Sequence, residues 1–419
     1  MRNGIPQVTP HLRLGWRWPE GLRAMRHRNF RLFFFGQLIS LSGTWMQTTA
    51  QQWLVYRITD SQLSLGVVTF AAFLPVLLLS LFMGVIVDRF PRRPLLLLTQ
   101  TWFMLLAVVL AVITAMGIVE YWHIILLSFL LGIANALDMP ARQAFFVDMV
   151  EREDLMNAIA LSSSIFNGAR IIGPALGGLI VAGLGEAPAF AINAVTFAAV
   201  LAGLLLMRFP PFKRPEGSTS GLREILAGLG YLASDRRALG LVSMVALLSF
   251  CAFPYAILFP AVAKDVLGTG AEGYGALMAA MGVGALGGAV GLAVLGDRRH
   301  KGRLLHANRL LFACAVAVFG LSRSTPLSMA ALLIAGYAFI TQLAVTNTLL
   351  QLLVPDGLRG RVMSSYTWAL GGFWPLGALL IGAIGDRLGA PSAILFCSGA
   401  ALLMALLGWV WFPEVRELK

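Results

Sequence analysis

ANALDMPARQAFFVDMVEREDLMNAIALSSSIFNGARIIGPALGG, residues 134–178, is the stretch whose reading decides the fold. Two apolar arms flank a polar connector, and each arm carries a charge in its interior: Asp138 and Arg170 both lie sixteen residues from Asp154. If the arms are membrane-spanning helices joined as a hairpin, both residues sit about 18 Å from the connector end at 1.5 Å per residue, inside the hydrocarbon. An unpaired charge there is costly, so such groups face a partner or a water-filled cavity and mark the path of an ion or a substrate. The hairpin therefore points to transport.

The rest of the chain fits the same solvent. With 58% hydrophobic and 12% charged residues among 419, and a mean hydropathy of +0.79, it has too little polar surface to cover itself in water. Apolar stretches long enough to cross a bilayer core occur at 30–56, 64–87, 95–117, 122–147, 158–183, 188–208, 238–262, 273–295, 303–321, 327–353, 362–384 and 391–412. The expected fold is an all-α membrane protein, with twelve transmembrane helices in two six-helix bundles.

Lys and Arg set the orientation, because basic connectors stay on the cytoplasmic side. Seven arginines precede or open the first helix, and Arg89, Arg92, Arg93, Arg152, Arg208, Lys213, Arg214, Arg223, Arg236, Arg237, Arg298, Arg299, Lys301, Arg303, Arg359 and Arg361 fall on the same face. The opposite face holds Arg57, Lys264, Arg323 and Arg387. This divides the chain into a cytoplasmic N-terminal segment (1–28), a first bundle (29–209), a cytoplasmic central loop (210–237), a second bundle (238–413) and a cytoplasmic tail (414–419). The net charge of +12 is then explained by this asymmetry and by attraction to anionic lipid headgroups, and no basic soluble domain is present to bind nucleic acid. The basic N-terminal region leads into an apolar stretch too long for a signal-peptide core, so the first helix is expected to be its own anchor. Cys251, Cys314 and Cys397 all fall in apolar stretches, which argues against a disulfide framework.

The halves echo each other. Val150 to Leu155 and Asn157 return as Val354 to Leu358 and Gly360, and Pro174, Leu176 and Gly177 return as Pro375, Leu376 and Gly377. A parallel repeat of about 200 residues is the plan of two bundles rocking around a central cavity. Between them, Leu222, Ile225, Leu226, Leu229 and Leu232 recur at helical spacing, which fits either a short amphipathic helix at the inner surface or a plain linker.

Two motifs carry a gate. At the end of the second helix stands GVIVDRFPRR, Gly84 to Arg93. Here Gly84 would let a neighbouring helix approach, Asp88 could meet the positive end of a helix dipole, and Arg89, Arg92 and Arg93 could reach acidic groups. The fifth helix carries NGARIIGPALGG, in which Gly173, Pro174, Gly177 and Gly178 bend the helix and permit close packing. The first pattern resembles the signature loop of the major facilitator superfamily, with Pro91 where that signature usually has glycine. The second resembles the superfamily's antiporter motif, with Ala169 at an expected glycine. FRLFFFGQLISLSGTWMQ (30–47), ANALDMPARQAFFVDMVEREDLMNAIALSSS (134–164) and LLQLLVPDGLRGRVMS (349–364) together resemble the enterobactin-exporter-like branch of that superfamily, over roughly 24–412. The resemblance implies proton-driven export of small organic molecules such as siderophores or drugs, from the bacterial inner membrane, by a single chain with no bound cofactor.

Three residues are candidates for proton coupling. Asp138 has two prospective counterions, Arg142 four residues on and Arg170 level with it across the hairpin, and Pro140 interrupts the helix between Asp138 and Arg142. A pair that opens and closes would couple protons to conformation; the alternative is a permanent structural ion pair. For the substrate, Gln37, Ser40, Thr44, Gln47, Thr48 and Gln51 give the first helix one polar face, which suits either a cavity or interhelical hydrogen bonds. Asn135, Asn347, Phe253, Tyr255, Tyr366 and Trp368 add amide and aromatic groups suited to a sizeable amphipathic ligand. Uptake or flipping of a metabolite or lipid shares this architecture. A membrane-embedded enzyme would need a nucleophile with its base or a metal cluster, and neither constellation is present in the sequence.

Overall fold

A computed structural model describes residues 19–209, 230–295 and 300–416. Every regular element among them is helical. In chain order the long elements are α1 (Arg28–Thr59), α2 (Gln62–Arg89), α3 (Arg92–Ala115), α4 (Tyr121–Met149), α5 (Leu155–Leu184) and α6 (Glu186–Leu206). They continue with α7 (Arg236–Cys251), α8 (Ala271–Leu295), α9 (Lys301–Leu321), α10 (Thr325–Leu353), α11 (Asp356–Leu388) and α12 (Ala390–Trp411). Eleven helical stretches among the described residues are long and apolar enough to cross a membrane. α1 falls short on composition alone, because its polar face lowers the hydropathy of a helix 32 residues long.

The packing repeats along the chain. α1 lies on α5 and α6, α2 on α4, and α3 on α4 and α6; six helices on, α7 lies on α11 and α12, α8 on α10, and α9 on α10 and α12. The two most extensive contacts between the halves are α5 with α8 and α2 with α11, and these too exchange when the numbering is shifted by six. The sequence echo has a structural counterpart: Pro174 lies inside α5 and Pro375 inside α11, each nineteen residues after its helix begins. Lipid tails are as apolar as leucine, so helices associate here through close backbone approach at small residues. A Cβ built on Gly288 of α8 would stand 2.6 Å from the Tyr337 carbonyl oxygen of α10, and one on Gly36 of α1 would stand 3.2 Å from the Val200 Cα of α6.

α7 departs from the continuous span expected over 238–262. After Cys251 the chain passes through a 3-10 turn (Phe253–Leu258) and a π turn (Val262–Val266). Pro254 and Pro260 remove two backbone donors and clash with the preceding turn, so a regular helix cannot continue. The irregular backbone is tolerated because Phe253, Tyr255, Leu258, Phe259 and Ala261 are buried in protein rather than facing lipid. At its start α7 is capped by Asp235, whose side chain accepts from the backbone N–H groups of Arg237 and Ala238 at 2.8 and 3.2 Å. Burial pushes that carboxyl up, but the Arg237 guanidinium and the two backbone donors outweigh it and hold it below the usual carboxylate range. The cap is therefore present at neutral pH and is lost as pH falls through the lowered value. Of the central loop, 210–229 lie outside the described residues, so Leu222, Ile225, Leu226 and Leu229 are not placed; Leu232 is buried in the helical turn that precedes Asp235.

Candidate functional site

Three helices of the first half meet at Asp138. The residue is 2% exposed. One carboxylate oxygen accepts from Thr99 Oγ1 at 2.6 Å and Gln100 Nε2 at 2.8 Å, both on α3. The other accepts from Arg142 Nε at 3.0 Å and from Arg142 Nη2. All four partners are donors, which suits the acceptor-only ionised carboxylate. Arg142 Nη1 donates in turn to the Gln37 side-chain oxygen on α1, so α1, α3 and α4 are tied through one ion pair. The guanidinium side of the pair is the open one: the Arg142 side chain is 23% exposed and that of Asp138 3%. Thr99 and Gln100 were not among the residues singled out from the sequence. Their signal was the short polar interruption Thr99-Gln100-Thr101 in an otherwise apolar run.

Arg170 does not join this cluster, contrary to the expectation that it would serve as a counterion of Asp138. α5 packs along α1 rather than along α4, while Arg142, one helical turn from Asp138, saturates the carboxylate locally. Arg170 instead lies between the Trp45 ring of α1 and the Phe339 ring of α10, 5.8 Å from each centroid.

The polar face of α1 is largely consumed by neighbours. Asn193 Nδ2 of α6 donates to Gln47 at 2.6 Å, Gln51 donates to Ser128 of α4 at 3.0 Å, and Thr44 donates to the Ser40 carbonyl at 2.9 Å. In the second half, Phe253 is buried against Phe312 and Phe339, and the buried Tyr255 hydroxyl contacts Met281 Sδ at 3.4 Å. Tyr366 donates to the Leu343 carbonyl at 3.3 Å, and Asn347 accepts from Gln351 at 2.6 Å. Trp368 is 57% exposed and stacks edge-on with Phe373. Asn135 is half-buried beside the Asp138 turn. Of these candidates only Phe253 and Tyr255 stand near Arg170, through the aromatic cluster that includes Phe339; the rest are spread over both halves.

The end of the molecule opposite the chain termini is sealed between the halves. Tyr56 donates to Asp265, Lys264 pairs with Asp60 at 2.7 Å, and Asp386 at the end of α11 accepts from Ser61 Oγ at 2.7 Å and from the Gln62 backbone N–H at 2.5 Å at the start of α2. A Cβ on Gly178 would stand 2.6 Å from the Ala271 carbonyl oxygen, and one on Gly382 2.6 Å from that of Gln62. Gly173 and Gly177 face α1 in the same way, against Ser42 and Met46. At the end carrying the termini, the bonds of Arg92 and Arg93 stay within the first half and those of Tyr231 and Arg236 within the second. There Arg92 pairs with Asp148 at 2.6 Å and Arg93 donates to the Leu204 and Leu205 carbonyls at the end of α6, both within the first half. Asp88 and Arg89 are exposed, and a Cβ on Gly84 would meet nothing within 4 Å. The close approach expected at Gly84 is thus absent, because α11 is drawn toward α2 at the opposite end.

Gly178→Val should break this seal. Its side chain would displace the backbone of α8, and maleimide labelling of a cysteine placed at Thr48 should become faster from the side opposite the termini; an unchanged rate would mean the contact does not hold the end shut.

The comparisons with known proteins agree with this geometry. The family model described as transmembrane secretion effector matches residues 20–418. The multidrug efflux pump Tap of Mycolicibacterium fortuitum is 26% identical over 92% of this chain and 96% of its own. The enterobactin exporter EntS of Shigella boydii is 28% identical over 90% of each. The staphyloferrin A transporter of Staphylococcus aureus is 27% identical, the match spanning 59% of this chain and 62% of that one. Among solved structures, a bacterial homologue of the human lysosomal transporter Spinster superposes with a TM-score of 0.74 at 14% identity, over 95% of this chain and 99% of that one. A D-xylose-proton symporter does so at 0.70 and 15%, over 94% and 99%. The buried ion pair, the seal at one end and a match over nearly the full length place the chain in the transmembrane secretion effector family of the major facilitator superfamily, as a multi-pass membrane transporter.

Proposed function

We propose that the protein exports a small amphipathic organic molecule in exchange for protons, by alternating access between two six-helix bundles, in the bacterial inner membrane with both termini cytoplasmic. The observation that carries the reading is the Asp138–Arg142 pair: a carboxylate buried at mid-span whose counterion is itself held by Gln37 on a second helix. Moving α1 relative to α4 would withdraw the guanidinium and leave a carboxylate able to take a proton. The relatives named for efflux and export favour outward movement of substrate.

In this reading α1 is the twelfth span. A helix of 32 residues is about 48 Å long and exceeds the roughly 30 Å hydrocarbon core. Its polar face is no obstacle, since Gln37, Gln47 and Gln51 have partners on neighbouring helices. With the basic end cytoplasmic, the sealed end is external and the conformation is inward-open. The test is uptake into energised everted vesicles, which should accumulate substrate and lose it when the pH gradient is collapsed. Accumulation that survives collapse would reject proton coupling, and accumulation only by right-side-out vesicles would reverse the direction. For topology, cysteines at Ser324 and Glu414 in a cysteine-free background should label from outside and inside respectively; labelling from one side would reject the twelve-helix plan.

A further inference from the structure

Arg170 is a half-buried cation with no counter-charge among the described residues. No described residue forms an ion pair or hydrogen bond with its guanidinium, and its Nε is buried without a partner. Asp138 is not available, being saturated by Arg142, Thr99 and Gln100. The aromatic faces of Trp45 and Phe339 compensate only part of the lost hydration.

The position is also particular. Trp45 belongs to the first half and Phe339 to the second, so the guanidinium sits where the halves meet. On α5 it lies two turns before Gly178, whose contact with Gly275 of α8 forms part of the seal. Toward the end carrying the termini, Arg92, Arg93 and Tyr231 bond within their own halves, to Asp148, the Leu204 carbonyl and the Leu353 carbonyl. Arg170 therefore stands at the meeting of the halves, on the side of the seal that faces the termini. One turn from Phe339 on α10, Gln342 is 2% exposed, and neither its amide oxygen nor its nitrogen has a partner. Buried amides left unpaired are rare and mark a missing ligand or water. Arg170 over Phe339 and Gln342 one turn along the same helix as that ring are thus two donors without an acceptor among the described residues.

We infer that Arg170 is the anchor for the substrate's negative charge, with Trp45 and Phe339 holding its flat apolar body, so that the transported compound is an amphipathic organic carboxylate. The inference rests on the transport reading above and narrows its substrate class. A guanidinium donates paired N–H groups to the two oxygens of a carboxylate, a charged bidentate acceptor that a neutral or cationic ligand does not present. A ligand here would touch both halves at once, as a site that directs their closure must.

The test is binding without any gradient, so it is independent of proton coupling and direction. Purified protein in phosphatidylcholine nanodiscs is titrated with naphthalene-2-carboxylate, its neutral carboxamide and naphthylmethylammonium, and melting is followed for each. Wild type should bind the carboxylate at least about tenfold more tightly than the other two, a difference of about 1.4 kcal/mol. Arg170→Gln should lose that preference and keep its weak affinity for the amide, and Arg170→Lys should keep part of it. Because Arg170 has no partner in the empty protein, Arg170→Gln should fold and melt no lower than wild type, and the carboxylate should raise the melting temperature of wild type only. Asp138→Asn should bind the carboxylate as wild type does, which separates this site from the coupling pair. Equal affinity of wild type for the three probes, no saturable carboxylate binding, or an Arg170→Gln protein that keeps the preference would each overturn the inference.

Discussion

Asp138→Asn protein is expected to insert, bind and exchange substrate downhill, and to accumulate none of it against a gradient. The amide can still accept from Thr99 and Gln100, so the α3–α4 contact survives. What it cannot do is carry a proton, and its NH2 group would face the Arg142 donors rather than accept from them. One proton per substrate across one pH unit sustains about tenfold accumulation, since each unit corresponds to about 1.4 kcal/mol. The variant should reach a ratio of about one. Permanent structural pairing predicts a different pattern. Loss of either member would leave a buried charge uncompensated and cost about 3–5 kcal/mol, so Asp138→Asn and Arg142→Ala would both fail to insert or would melt early. Counterflow in proteoliposomes separates the two, because a proton carrier keeps exchange and a broken scaffold does not. Uphill accumulation by a folded Asp138→Asn protein would end the coupling role.

The spans and the hairpin were legible because a bilayer imposes length and apolarity on each segment independently of its neighbours. The pairing of Asp138 was only half legible. Arg142 follows from helical spacing, which the sequence carries, whereas the separation of Arg170 depends on α5 packing along α1 rather than α4, a tertiary fact with no local signature. The polar face of α1 was visible, but whether it met water or neighbours turned on Ser128 and Asn193, single polar residues in distant segments. The break in α7 was written in Pro254 and Pro260, and the apolar run around them masked it. The gate at the sealed end was missed although its pattern is present: Gly382-x-x-x-Asp386-Arg387 has the spacing of Gly84-x-x-x-Asp88-Arg89, at the far end of a helix in the other half. Nothing in the sequence says which helix start each aspartate will face.

Substitution at these two aspartates should shift the conformational balance in opposite directions. α2 and α11 run antiparallel against each other, and each ends in the Gly-x-x-x-Asp-Arg pattern, of which only the one on α11 meets the other helix's first turn here. Asp386 now accepts from Ser61 Oγ and the Gln62 N–H, at the positive end of the α2 dipole, while Asp88 stands exposed. In the alternating-access reading the two ends are not open together, so each aspartate stabilises the state in which it reaches its helix. Replacing Asp386 by Asn removes a charge from a helix N-terminus, worth about 1–2 kcal/mol when partly buried. That would raise the ratio of the externally open to the inward-open state by a factor of roughly 5–30. Asp88→Asn should favour the inward-open state instead, and both variants should slow transport, since each turns one half-cycle into an uphill step. Spin labels at Ile58 and Leu388 report the sealed end and labels at Phe90 and Leu352 the open one. Asp386→Asn should add a long component to the first pair and a short component to the second. The double variant removes one stabilisation from each state at sites far apart, so its effects should nearly add and bring the ratio back toward wild type. Shifts of the same sign in the two single variants, or distances unchanged by Asp386→Asn, would mean that the carboxylates do not set which end is shut.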